Sequence, residues 1–376
     1  MQRKCLQEYF PMLKSREELL STIDQRKSLA RMFYSWDEKY QREFLDFCSG
    51  AKGCKMLYDS FVKELLNPER YPERLNELLS LLIGTEVTIL KVLPNEGMRV
   101  AAENSLLVMD IVVKLSDGSI ANVEVQKVGY LFPGQRCACY SSDLLLRQYK
   151  AVRAGSGRKK FSYRDIKDVY TIVFLEKSGK LFHQYPDEYL QYFEQESKSG
   201  LKLELLQKYI FVPIDIFLKK GENKTINNRL EAWLTFLGSD DPEDIIRLIE
   251  LYPDFKAMYQ QIYDICQNME EIMGLFSEEL RILDENTVKL MIDEMQDELD
   301  EQRAELEEIR AKIKVQKAEL NEKKAELNEK KAELDEKKAE LSEKDVALAE
   351  KDRMLQEAMR RIAELEENSA IQSKIP

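Results

Sequence analysis

Across residues 3–83 the apolar positions recur at three and four, as in Phe61, Leu65 and Leu66 and then Leu75, Leu78, Leu79 and Leu82, which is the spacing of one face of a helix. Asn67-Pro68 and Tyr71-Pro72 punctuate these helices. The period then changes. Residues 86–93, 106–115, 120–128, 169–175 and 210–216 have the composition and alternation of strands, and a helical stretch over 133–154 separates the third from the fourth. This order predicts an α/β fold around a mixed central sheet. Beyond Gly221 the pattern is helical to the end, broken by Gly238, Pro242, Pro253 and Gly274.

The end of the chain is a repeat. From Gln316 it reads QKAELNE, KKAELNE, KKAELDE, KKAELSE, KDVALAE, KDRMLQE, and Leu or Ile recurs every seven residues from Leu306 through Ile313, Leu320 and Leu327 to Ile362. Strict sevenfold register predicts a long helix. A coiled coil wants a second apolar position three or four residues away, and there the repeats place Lys323, Lys330 and Lys337 on one spacing and Lys324, Lys331 and Lys338 on the other. The seam is half-built, with better ends where Ile309, Met359 and Leu365 add apolar residues. Glu319–Lys323 and its counterparts are i to i+4 pairs in the favourable order, each worth ~0.2 to 0.5 kcal/mol to the helix. Self-association or a spacer role follows, with a homo-oligomer as the expected state.

Composition narrows the classes. The 376 residues are 44% apolar and 34% charged, enough for one or two domains with cores of their own and unlike a disordered or disulfide-rich chain. No apolar run approaches the ~20 residues of a membrane span, and the opening ten residues lack a secretory hydrophobic segment, so a cytoplasmic protein with no membrane partner is expected. The six cysteines form no C-x-x-C, and His183, the one histidine, reads as a surface residue. Structural zinc, disulfides and histidine-based catalysis are disfavoured. Residues 293–367 carry 25 acidic and 16 basic residues, so most of the net charge of -12 lies there. By contrast residues 147–180 hold ten basic residues against three acidic ones, a possible polyanion footprint as much as a solvated helix and loop.

The segment 106–128, LLVMDIVVKL-SDGS-IANVEVQKV, places carboxylates inside apolar strands. Glu124 and Gln126 share a face with Asn122, and Asp110 shares one with Val108 and Val112. A carboxylate in such a strand is costly to bury unpaired, and a divalent cation is the simplest compensation. A two-residue Asp117-Gly118 turn would put Asp110 opposite Val125. A three-residue Ser116-Asp117-Gly118 loop with Gly118 left-handed would pair Leu115 with Ser119 and put Asp110 opposite Glu124, the arrangement predicted here.

An Asp on one strand, a short turn and Glu-x-Gln on the next, in helix-strand-strand-strand-helix-strand order, resembles the PD-(D/E)XK nuclease superfamily and its transposase-like, Rpn-type branch of recombination-promoting nucleases. The helix QRCACYSSDLLLRQYKAV, with Arg136, Tyr140 and Gln148, the lead-in KMLYDSFVKELL and the strands VYTIVFLE and IFVPIDI extend the resemblance over residues 55–233. It implies a restriction-endonuclease-like core at 55–235 between an N-terminal helical segment (1–54) and a second one (236–290), with the heptad-repeat helix or coiled coil at 291–367. It also implies a metal-dependent DNA endonuclease, linked to recombination or transposition. Asp110 and Glu124 would hold Mg²⁺ or Mn²⁺ with the Val125 carbonyl, and Glu64 on the first core helix is a further candidate ligand. Gln126 stands at the third motif position, usually a lysine; it can orient water but cannot act as a base. Arg136, Tyr140, Arg147, Gln148, Lys150, Arg158, Lys159 and Lys160 would line the path of the DNA. Because of Gln126 the alternative is a catalytically degenerate relative that binds DNA or acts as a coiled-coil scaffold.

Overall fold

The computed structural model describes residues 5–94, 111–127, 133–155, 161–220 and 225–372. The chain forms two compact units, Met1–Met295 and Gln296–Pro376.

Six helices open the first unit: α1 (Leu6–Tyr9), α2 (Arg16–Asp24), α3 (Lys27–Ser35), α4 (Glu38–Cys48), α5 (Asp59–Leu65) and α6 (Pro72–Ile83). Local chemistry sets several of their ends. Ser15 and Glu18 form a reciprocal capping box on α2, Pro72 starts α6, and Gly84 closes it at φ 80°, where a side chain would be strained. The sheet follows: β1 (Ile89–Val92), β2 (Ile111–Leu115), β3 (Ile120–Gln126), β4 (Val169–Leu175), β5 (Gln191–Phe193) and β6 (Gln207–Pro213), in the order β1-β2-β3-β4-β6-β5. β1, β2 and β3 are antiparallel neighbours, β3, β4 and β6 run parallel, and β5 closes the far edge antiparallel. The sheet is therefore mixed, as expected. Helix α7 (Pro133–Gly155) makes the crossover from β3 to β4.

Two readings of the strands are corrected. The apolar run at 210–216 leaves the sheet at Pro213, and Ile214–Lys220 is a helix, α8; an unbroken apolar run carries no period by which to separate strand from helix. β5, three residues long and half exposed, is absent from the sequence-based order.

The two faces of the sheet are covered differently. Val113, Ala121, Val123, Ile172, Phe174 and Val212 join the main core, which extends through α1–α6 and through α9 (Arg229–Gly238), α10 (Pro242–Leu251) and α11 (Phe255–Ile265). The first residues of α12 (Met269–Gln372) belong to the same core, where Phe276 packs on Trp36 at 5.0 Å and on Phe44 at 5.4 Å between ring centroids. Residues before 55 and after 236 thus share one interior with the sheet. Gly53 marks a close approach there: its N–H donates to the Asp240 carbonyl at 2.7 Å, and a Cβ would sit 2.1 Å from Ile245 Cδ1. The opposite face is covered by α7, through Tyr140 and Leu144 against Val112, Ile120 and Val169 and through Cys137 against Val173, Leu175 and Phe211.

Within the second unit residues 296–372 are helical throughout, and the described side chains from 296 to 365 are exposed. Among the described residues no helix is long and apolar enough to cross a membrane.

Candidate active site

The β2–β3 hairpin is held in the three-residue register. The pairs are Ile111↔Val123, Val112↔Asn122, Val113↔Ala121 and Lys114↔Ile120, and the Leu115 N–H donates to the Ser119 carbonyl at 2.8 Å. The Gly118 N–H closes the turn on the Leu115 carbonyl at 3.0 Å, with Gly118 at φ 95°. Asp117 caps the returning strand, accepting from the Ser119 N–H at 2.9 Å and from its hydroxyl at 2.7 Å. This is a turn with the following glycine left-handed, which explains why Asp-Gly is needed at these positions. Asp110 lies outside the described residues.

Asn122, Glu124 and Gln126 alternate onto the α7 side of β3, and all three are buried. Asn122 Nδ2 donates to Glu124 Oε1 at 2.9 Å. Across the sheet Glu124 aligns with Val173 and Phe211, and Gln126 with Leu175 and Pro213. The carboxylate therefore sits in an apolar row near the ends of three parallel strands. Helix α7 closes over it: burial pushes the Cys137 thiol up to about 12, with the charge of Glu124 adding to the rise and that of Arg136 opposing it. Both side-chain polar atoms of Gln126 and the Oδ1 of Asn122 are buried without a hydrogen-bond partner. An amide left this way in a folded interior is unusual and calls for an explanation.

The residues expected around this centre are distributed more widely. Arg136 lies over the Tyr140 ring, 5.2 Å from its centroid, on the first turns of α7. Tyr140 and Gln148 are expected to face DNA from the sequence, yet both are buried. Tyr140 fills the space between α7 and the sheet, while Gln148 clamps the hairpin, donating to the Gly118 carbonyl at 3.4 Å and accepting from the Lys167 N–H at 2.6 Å. Arg147 bridges Asp143 at 2.7 Å and the Pro94 carbonyl at 2.8 Å, and Lys150 is exposed. Arg158, Lys159 and Lys160 lie outside the described residues. Glu64 accepts from Arg70 at 2.6 Å and from Gln261 at 3.3 Å, on a helix whose apolar residues join the core on the other side of the sheet. Among the described residues no group of three or more His, Cys, Asp or Glu side chains is gathered that could hold a metal ion.

Lys127 points the opposite way from Gln126. It is buried, ion-paired with Glu279 of α12 and 4.4 Å from the Tyr58 ring centroid, while Glu279 also accepts from the Ser60 N–H and hydroxyl at 3.0 and 3.1 Å. The pairing with Glu279 is a long-range contact with no signature in the sequence. Asn122, by contrast, was visible as a polar residue two positions before Glu124 on the same face. His183 sits half exposed near the ends of β4 and β6, 3.0 Å from Asp215 and 3.3 Å from the Ser178 hydroxyl.

The family model for PD-(D/E)XK nuclease family transposases matches residues 58–291. No curated protein and no solved structure is significantly similar to the chain. The matched region contains the hairpin, α7, the parallel strands and the start of α12, and the mixed sheet flanked by helices is consistent with the fold of that family. The match supports a nuclease-like function and spans more than half of the chain, which therefore belongs to the PD-(D/E)XK nuclease family transposases.

Proposed function

We propose that the protein is a Mg²⁺- or Mn²⁺-dependent DNA endonuclease centred on the hairpin, acting in recombination or transposition and working in the cytoplasm. The observation that carries this reading is Glu124, a carboxylate buried in an apolar row beside the unpartnered amide of Gln126. Asp110 lies outside the described residues, and the reading takes it to face Glu124, as the three-residue Ser116-Asp117-Gly118 loop in the sequence implies; facing positions on antiparallel strands lie ~4.5 to 5.5 Å apart at Cβ. The donor set fits a hard divalent cation, with oxygen ligands from Asp110, Glu124 and the Val125 carbonyl. The unpartnered Gln126 and Asn122 atoms fit the same site, because water around an ion would satisfy them. When bound, the ion would polarise the phosphate and lower the pKa of a water nucleophile.

The chain's own residues have narrower tasks. Asn122 holds Glu124 in one rotamer through the 2.9 Å hydrogen bond. Gln126 can both donate to and accept from a water, so it orients the nucleophile without taking its proton. Arg136, Arg147 and Lys150, with Arg158, Lys159 and Lys160 further along, supply cations for the DNA backbone. Glu64 is left out of the ligand set because Arg70 and Gln261 already occupy it.

A second reading, a nuclease fold that binds DNA without cutting it, is favoured by one pair of observations. The motif lysine is replaced by Gln126, and neighbouring Lys127 is held by Glu279 on the other face of the sheet. Calorimetric titration with Mg²⁺ separates the metal question from cleavage: the wild type should bind the ion, and Glu124→Ala should weaken binding at least tenfold. Equal affinity in the two proteins would contradict a metal site at the hairpin.

A further inference from the structure

The heptad stripe of α12 is an exposed apolar surface. From Leu306 to Ile362 its Leu and Ile residues are 46–68% exposed, and all occupy the same heptad position along one continuous helix. We infer that this stripe pairs with a second copy of the chain as a parallel, in-register, two-stranded coiled coil, with the stripe at the a positions of the heptad. This inference is independent of the nuclease reading.

Three features of the chain select that arrangement. The first is the ends. With the stripe at a, the d positions fall on Met295, Gln302 and Ile309 at one end and on Ala358 and Leu365 at the other, adding apolar residues to the seam that the lysines of the middle do not supply. With the stripe at d instead, the a positions at the first end would be Arg303 and Arg310.

The second is charge. With the stripe at a, each g residue faces the e residue five positions later on the partner. Glu298 then meets Arg303, Glu305 meets Arg310, and Glu319, Glu326 and Glu333 meet Lys324, Lys331 and Lys338 of the partner copy. Lys312 against Lys317 and Glu340 against Asp345 are like-charge pairs, outnumbered by the attractive ones. In the alternative frame only Lys330 of the g lysines faces an acid, Asp335, while Lys323, Lys337 and Lys344 face the neutral Asn328, Ser342 and Ala349. An antiparallel pair sets e against e and g against g, which brings the basic row from Arg303 to Lys338 onto itself and the glutamates onto one another. Charge thus sets both the frame and the direction.

The third is the row of d lysines, Lys323, Lys330, Lys337, Lys344 and Lys351. In a two-stranded coil their stems can cover the leucines while the ammonium groups reach water; a third strand would enclose them. Two strands follow. Staggering the copies by one heptad moves Ile309 and Leu365 off their own counterparts and sets Glu333 against Asp345, so the aligned pairing is preferred over its neighbours.

The test uses the full chain with the cysteines that are not buried, Cys5 and Cys139, changed to serine. Gln316→Cys and Lys351→Cys are then introduced separately, each at a d position, and oxidised in a glutathione buffer. The expected result is a dimeric mass by light scattering, a disulfide-linked homodimer for each variant alone, and no disulfide between Gln316→Cys and Lys351→Cys chains when the two variants are mixed before oxidation. The triple variant Lys324→Glu, Lys331→Glu, Lys338→Glu leaves the Glu319–Lys323 type pairs within the helix intact and should weaken dimerisation at least tenfold. A monomeric or trimeric mass, crosslinks confined to the mixed sample, or undiminished dimerisation of the triple variant would each overturn the inference.

Discussion

Lys127 and Glu279 form a buried ion pair on the face of the sheet opposite Glu124, joining the end of β3 to the first turns of α12. Their side chains are 8% and 3% exposed, so removing either partner strands a charge in the interior. Lys127→Met and Glu279→Met should each cost about 3 to 5 kcal/mol, and the double variant should cost less than their sum because it leaves no unpaired charge. Urea unfolding of the three variants checks this, and additive losses would show that the two residues do not act as a pair.

At Gln126 stability and function are expected to pull apart. Both of its amide atoms are buried without partners, a situation that costs on the order of 1 to 3 kcal/mol. Gln126→Leu, similar in volume and apolar, should leave the metal-free protein as stable as the wild type or more so. It should also lower the cleavage rate on the order of 10²-fold, the scale of a misplaced reacting group. A thermal melt and a cleavage assay on the same preparation test both halves; a destabilised variant with full activity would contradict the role given to this amide.

Glu176 follows β4 on the core side of the sheet, where its N–H donates to the Gln126 carbonyl at 2.9 Å. Burial raises its carboxyl above the ordinary carboxylate range, an effect that Lys55, Lys127 and Lys177 reduce and Glu43 reinforces. The folded protein therefore holds this proton more tightly than the unfolded chain does. Its contribution favours folding at low pH and is lost as the pH rises from the ordinary carboxylate range through the raised value. Glu176→Gln should accordingly raise the melting temperature at pH 7 and have a smaller effect near pH 4. A gain that does not depend on pH would rule out this titration as its cause.

The hairpin was legible because its chemistry is local. Asp117-Gly118 specifies a turn with a left-handed residue, and that turn alone fixes which residues of β2 and β3 face one another. Glu124 and Gln126 stood out as polar residues among Val, Ile and Ala with strand alternation. The burial of Tyr140 and Gln148 was not legible, for a complementary reason. Helix α7 is 23 residues long and presents polar groups both to solvent and to the hairpin turn, so polarity does not say which side is wet. The association of Phe276 with Trp36 and Phe44, and of Lys127 with Glu279, joins residues more than 150 positions apart in the chain, and no local pattern encodes such partners. β5 escaped because three half-exposed residues at an edge are too few to establish a period.

Cleavage of DNA by the hairpin carboxylates and their metal is read out by nicking of supercoiled plasmid by the purified protein with Mg²⁺, Mn²⁺ or Ca²⁺, beside Asp110→Ala and Glu124→Ala. Nicking is expected with Mg²⁺ or Mn²⁺ and should be lost in both variants while their folding and melting behaviour stay close to the wild type. A folded wild-type protein that, with metal supplied, cleaves no more than either variant would contradict this reading and leave a nuclease fold that binds without cutting.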